Sequence, residues 1–261
     1  MPPRPRAGFT LVELSIVLVV IGLLVGGVMV GRDLIKAAEI RAQVSQFEKF
    51  NSAVNTFRNK YGGLPGDLKY TEARAYGLYS ITYAPYVGLS TRGDGNGLIQ
   101  SRGQNYFTDE LVIFWRHLSE AGLIDGIYGL KLNTAAETTT NFVNDYLPTA
   151  KIGQNAVIQI GTAGTSTNYY LILSTSVTAG GCCNAASQNT VTAYDSYQID
   201  SKIDDALPGS GSVFAVNALS NVTLNTTWTT VSAASGCVSS GAYSLNPGTT
   251  PDCSLRFRFQ Y

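Results

Sequence analysis

Between Phe9 and Gly31 the sequence runs FTLVELSIVLVVIGLLVGGVMVG, with one charge, the carboxylate of Glu13. A helix of that length reaches roughly 34 Å, enough to cross the hydrocarbon core of a bilayer. A carboxylate near the start of such a segment costs about 2.5–3.5 kcal/mol on insertion scales, which makes Glu13 a candidate functional residue. The helix does not stop where the apolar run does. Ile40, Val44, Phe47, Phe50, Val54, Phe57 and Tyr61 recur every three or four residues, one stripe of an α-helix, with Lys, Arg, Glu and Gln on the other faces. Gly62, Gly63 and Pro65 end the pattern. The expectation is one helix from Phe9 to Asn59, roughly 75 Å long and uninterrupted by proline. Gly22, Gly26, Gly27 and Gly31 each weaken it by about 1 kcal/mol relative to Ala, and they form small-xxx-small pairs that let helices approach closely.

The aromatic stripe has to be buried, and only residues 62–261 can cover it. Within them TDELVIFWRHLSEA at 108–121 reads as a helix, with Thr108 as N-cap and Gly122 as its close. Strands are expected at 155–161, 168–175, 212–218 and 254–260, where apolar and polar residues alternate or β-branched residues cluster, and a short helix at 192–204. The fold class is therefore α+β: a lollipop in which one long helix lies across a small antiparallel sheet.

Ahead of the apolar run stands the basic octapeptide MPPRPRAG, so the small residue Gly8 precedes the hydrophobic segment instead of following it. That order excludes an ordinary secretory signal, whose cleavage site lies after the apolar stretch. The string GFTLVEL, preceded by a short basic leader, resembles the prepilin signal of type IV pilins and type II secretion pseudopilins. The resemblance implies cleavage between Gly8 and Phe9 by a prepilin peptidase that also methylates the new amine, and retention of the apolar helix. It implies that Glu13 guides subunit docking, since a carboxylate one turn from the new Phe9 amine suits a charge that must be buried among neighbouring helices. YGGLPGDL at 61–68 is similar to the helix exit of pilin-like proteins. GDGNGLI at 93–99, FWRHLSEAGLI at 114–124 and YQIDSKIDDALPGSG at 197–211 resemble one bacterial subgroup of them.

On this basis the chain divides into a leader at 1–8, a transmembrane and polymerisation helix at 9–31, the amphipathic half of that helix at 32–61, and a globular α+β head at 62–261. Arg4 and Arg6 hold the leader on the cytoplasmic side, so the protein is expected to cross the inner membrane once with its head outside the cytoplasm. The implied function is that of a structural subunit of a type IV pilus or a type II secretion pseudopilus. The alternative is a membrane-tethered minor pilin acting as an adhesin or substrate-binding module. Expected partners are the prepilin peptidase, copies of the chain and other pilin-like subunits in a helical filament, and the inner-membrane assembly platform.

Other chemistries find little support. Lys+Arg and Asp+Glu balance at 18 each, and no basic patch marks a nucleic-acid footprint. No phosphate-binding glycine loop, nucleophile elbow or HExxH string occurs. His117 stands alone beside Trp115 on an apolar helix, the setting of a structural histidine. No catalytic residue is assigned and no enzyme is expected.

The cysteines and acidic turns are the remaining candidates. Cys182, Cys183, Cys237 and Cys253 lack CxxC spacing and have no histidine cluster beside them, which argues against zinc. In an exported domain four cysteines suggest disulfides. Cys237–Cys253 would fasten the Ser/Gly/Pro-rich loop between them to the last strand, and the resemblance adds that many pilins close a C-terminal loop this way. Cross-pairing with Cys182 and Cys183 is the rival. Asp94 and Asn96 offer hard oxygens in tight turns and are candidate calcium ligands; Asp200, Asp204 and Asp205 form a second acidic group. Neither completes an EF-hand spacing, and an Asx turn accounts for Asp94 without a metal. No other cofactor is expected.

Overall fold

The computed structural model describes residues 8, 10–78, 93–100, 110–128, 147–153, 156–163, 167–177, 185–188, 190–216, 236–245 and 253–259. Helix α1 runs unbroken over Leu11–Tyr61. It ends where the sequence predicts: Gly62 takes a left-handed φ of 79° and donates its N–H to the Arg58 carbonyl. Every large apolar side chain from Leu11 to Ile35 is exposed, and the first buried residue is Ile40. The helix therefore carries two surfaces in series. From Leu11 to Ile35 it presents exposed apolar side chains on every face, and at Lys36, whose Nζ pairs with the Asp195 carboxylate at 2.7 Å, it meets the head. Its C-terminal half buries a stripe.

That stripe is Ile40, Gln43, Phe47, Phe50, Ala53, Val54 and Phe57. It departs from the expected one at Val44 and Tyr61, which are only half-buried, while Gln43 is fully buried. Hydrogen bonding explains the exchange. Gln43 accepts the Lys151 N–H at 2.7 Å and donates to Gln46 at 3.2 Å, and Gln46 in turn donates to the Thr149 carbonyl at 2.9 Å. A buried amide that is satisfied in this way costs little, and this pair fastens the helix to segment 147–153.

The head places two layers against α1. Helix α2 covers Tyr70–Ala75, α3 Glu110–Glu120 and α4 Ala193–Ile203; the strands are β1 (Ala156–Ala163), β2 (Thr167–Val177), β3 (Ala185–Gln188), β4 (Val213–Val216), β5 (Val238–Ser239), β6 (Ala242–Tyr243) and β7 (Ser254–Arg258). The main sheet is antiparallel in the order β1-β2-β7-β4, and β3 pairs with the far end of β2 along the same edge as β7. Register puts Tyr170 opposite both Ile160 and Phe257. Phe47 of α1 stacks on Phe257 at 3.9 Å between centroids, and Phe50 meets Trp115 of α3 edge-on at 4.9 Å. Trp115, Phe114, Tyr170 and Phe57 have no exposed surface, so the core is an aromatic layer shared by α1, α3 and the sheet.

The expected α+β lollipop is what the chain forms. The four anticipated strands and the helix at 192–204 correspond to β1, β2, β4, β7 and α4, with ends shifted by a few residues. Thr192 caps α4 by accepting the Asp195 N–H. The anticipated cap Thr108 lies outside the described residues. Four elements were not anticipated. The strand β3 is AASQ, poor in β-branched residues; β5 and β6 are two residues each; and α2 is too short to show a period.

Cys237 and Cys253 are joined by a disulfide across 16 positions. It ties the β5–β6 hairpin to the start of β7, and both sulfurs are buried. Cross-pairing of these two with Cys182 or Cys183 is thereby ruled out; Cys182 and Cys183 themselves lie outside the described residues. Closing a loop of this size restricts the unfolded chain, so Cys237→Ser is expected to lower head stability by about 2–5 kcal/mol in chemical denaturation. A loss below about 1 kcal/mol would mean that β7 pairing alone holds the hairpin.

Candidate functional site

The signal region is built from a reciprocal cap. Thr10 precedes the first turn of α1, and its hydroxyl accepts the Glu13 N–H at 3.2 Å. Glu13 reaches back, accepting the Thr10 N–H at 2.7 Å and the Thr10 hydroxyl at 2.9 Å on the same carboxylate oxygen. This capping box satisfies helix-end donors that have no partner of their own, and its negative charge sits at the favourable end of the helix dipole. The spacing Thr-x-x-Glu is the sequence signature of this cap and lies inside the longer GFTLVEL string. Gly8, on the N-terminal side of the expected cut, is exposed, while Phe9 lies outside the described residues. Gly22, Gly26, Gly27 and Gly31 have nothing within 4 Å of where a Cβ would stand, so no described contact within the chain requires them to be glycine.

A second cluster sits where the chain leaves α1. Asp67, from the turn LPGD, is buried; its Oδ1 accepts the N–H groups of Gly95 and Asn96 at 2.8 and 3.2 Å, and its Oδ2 that of Gly97 at 2.8 Å. Glu110, at the start of α3, is also buried and accepts from Asp94 at 3.2 Å and Gln100 at 2.7 Å. Asn168 of β2 completes the frame, accepting the Ile99 N–H and donating to the Gly97 carbonyl. Loop 93–100, GDGNGLIQ, is thus stapled by three buried side chains from three distant elements. Asp94 and Asn96, the candidate calcium ligands, lie in this loop and form Asx turns: Asp94 accepts the Asn96 N–H at 3.0 Å, and Asn96 accepts the Leu98 N–H at 2.7 Å. His117 supports the same corner, its Nδ1 accepting the Gly66 N–H at 3.0 Å and its ring stacked on Phe57. These contacts tie His117 to the turn and to α1.

Oxygens of Asp67, Asp94 and Glu110 lie within 4.8 Å of one another. Burial pushes the Asp67 carboxyl up to about 6 and Glu110 up to about 8, against the opposing pull of the backbone N–H groups. In the folded chain these groups hold protons that the unfolded chain has already lost. Folding therefore binds protons between the unfolded and folded values, and stability falls as pH rises through that window. The head is expected to melt at a higher temperature at about pH 5 than at about pH 8 in the presence of EDTA, with the slope reduced in Asp67→Asn. Stability that instead climbs over this range would show that the N–H groups outweigh desolvation.

Residues 3–29 match the family of the prokaryotic N-terminal methylation motif. No curated protein matches the chain, and no solved structure does. The matched motif covers residues 3–8 ahead of the helix, the capping box and most of the exposed apolar segment of α1, a helix long and apolar enough to cross a membrane. Residues 3–29 carry a prokaryotic N-terminal methylation motif, a signal like that of type IV pilin-like proteins, and it heads a long helix laid on a small antiparallel sheet.

Proposed function

We propose that the protein is a structural subunit of a type IV pilus or type II secretion pseudopilus, cut between Gly8 and Phe9 by prepilin peptidase and assembled through α1. One observation carries the reading: the half of α1 that bears the signal leaves its whole apolar surface uncovered by the described head. Such a surface needs a bilayer before assembly and other helices after it. The glycines that nothing in the described chain requires then serve close approach between neighbouring subunits. Glu13 caps the uncut helix; once the leader is gone, its carboxylate meets the Phe9 amine of a neighbouring copy as that helix leaves the membrane. The head stands outside the inner membrane, and the assembly platform and other pilin-like subunits are the partners. The buried side chains of Asp67, Glu110 and His117 hold backbone N–H groups of the head, which supports a structural role.

The mature protein is expected to begin at Phe9 with an N-methylated amine and to be recovered in sheared or overproduced filaments. Terminal sequencing and intact mass decide the first point, and immunogold labelling the second. Assembled protein that keeps residues 1–8 contradicts the reading.

A further inference from the structure

Strand register sets four residues in one row across the main sheet. Gln159 of β1 stands opposite Leu171 of β2, Leu171 opposite Arg256 of β7, and Arg256 opposite Phe214 of β4. Successive residues of a strand point to opposite faces, and Tyr170 and Phe257, one position along, meet Phe47 of α1. The row therefore lies on the face of the sheet turned away from α1. Arg256 is buried there, at 5% exposure, and Gln159 at 1%. Among the described residues the Arg256 Nε and Nη1 and the Gln159 Nε2 have no hydrogen-bond partner, and no carboxylate pairs with Arg256.

Two rings flank the guanidinium. Its central carbon lies 4.4 Å from the centre of the Tyr169 ring and 4.6 Å from that of Phe214, and the two rings stand edge to face with each other. Cation–π contact offsets part of the buried charge, but it leaves the N–H donors unmade, and an unsatisfied buried donor is costly.

We propose that Arg256 and Gln159 form a binding site for a small organic carboxylate on the outer face of the sheet, with Tyr169 and Phe214 as its walls.

The chemistry of the donors selects the ligand. Every unpartnered atom in the row is a donor, so the ligand is an acceptor. The buried charge is a single cation, which one carboxylate neutralises; a doubly charged phosphate would carry uncompensated charge into the interior. A flat carboxylate also matches the fork of a guanidinium. Two strand spacings, about 10 Å, separate β1 from β7, and Leu171 gives the gap between the two polar side chains an apolar floor. The site lies just beneath the surface, since Tyr169 and Phe214 are half-buried. Arg258, exposed two residues along β7 and on the same face, adds a positive field that draws anions toward it. Burial pulls the Arg256 pKa down from its ordinary value, because desolvation disfavours the charge that a bound anion would restore.

The test uses the full-length protein in detergent micelles, with acetate as the probe and sodium chloride holding the ionic strength constant. Acetate should raise the melting temperature saturably by about 2–4 °C, and its methyl protons should show saturation transfer from the protein. Phosphate at the same ionic strength should give less than half of that shift. Arg256→Met replaces a buried, incompletely bonded charge with an apolar side chain, so without acetate it should melt no lower than the native protein, while its acetate affinity falls tenfold or more. Arg256→Lys keeps the charge and removes the fork; it should also lose about tenfold, and it decides the matter if the Met variant does not fold. Gln159→Met should lose about threefold. The proposal is overturned if the native protein shows no saturable response, if the response survives Arg256→Met or Arg256→Lys at full affinity, or if phosphate binds as well as acetate. It is overturned too if acetate acts only by dispersing crosslinked copies of the chain, which would make a neighbour's side chain the natural occupant.

Discussion

Glu13→Ala is expected to leave the head folded and the leader cleaved, yet to reduce incorporation into filaments by a hundredfold or more, on the order of the 3–5 kcal/mol lost when one partner of a buried ion pair is removed. Two roles of Glu13 are lost in that variant: the cap on Thr10, worth about 1 kcal/mol, and the charge offered to the Phe9 amine of a neighbour. Glu13→Gln separates them. Its amide oxygen still accepts from the Thr10 N–H, so the helix start survives while the charge is gone. If docking depends on charge, Gln fails nearly as badly as Ala. Filament yield for Gln at the native level would leave Glu13 a capping residue and remove the docking role. Quantitative immunoblots of sheared filaments against membrane-retained subunit give the ratio.

The second large effect belongs to the stapled loop. Asp67→Ala strips the acceptor from three backbone N–H groups, those of Gly95, Asn96 and Gly97. An unsatisfied buried donor costs about 1–3 kcal/mol, so the loss is expected to reach about 3–6 kcal/mol, a large part of the stability of an ordinary domain. Gly93→Ala attacks the same corner sterically. Gly93 bridges to Lys69, and a Cβ there would fall on the backbone carbonyl of Asp67, which cannot move without opening the turn. Both variants should lower the urea midpoint and weaken the near-ultraviolet signal of Trp115, which is buried in the core cluster that Leu68 and Ile99 also enter. Asp67→Ala within about 1 kcal/mol of the native protein would mean that water satisfies the loop as well as the carboxylate does.

The two predictions come from parts of the chain that differ in how readable they were. Around Glu13 everything is local: the cap joins residues three positions apart, and the apolar run needs no partner within the head to be recognised. The stripe on α1 was legible for the same reason, since a 3.6-residue period is written along one segment. Even there, Val44 and Gln43 exchanged places. The pattern cannot register that Lys151 and Thr149 approach from more than a hundred positions away and reward an amide over a methyl group.

At loop 93–100 the readable signals were turns, and the turns are present. What holds them was not readable. Asp67, Glu110 and Asn168 come from a helix exit, a helix start and a strand, and in the sequence each is one polar residue among many. The same holds for His117, whose partner is a backbone N–H 51 positions away. The string of residues alone specified the long helix, its anchor-like half, its signal and most of the sheet, because periodicity, caps and motifs act between near neighbours. The choice of which carboxylates are buried, and of the distant groups that satisfy them, fell to the tertiary structure, because desolvation and hydrogen-bond partners exist only once distant segments have packed together.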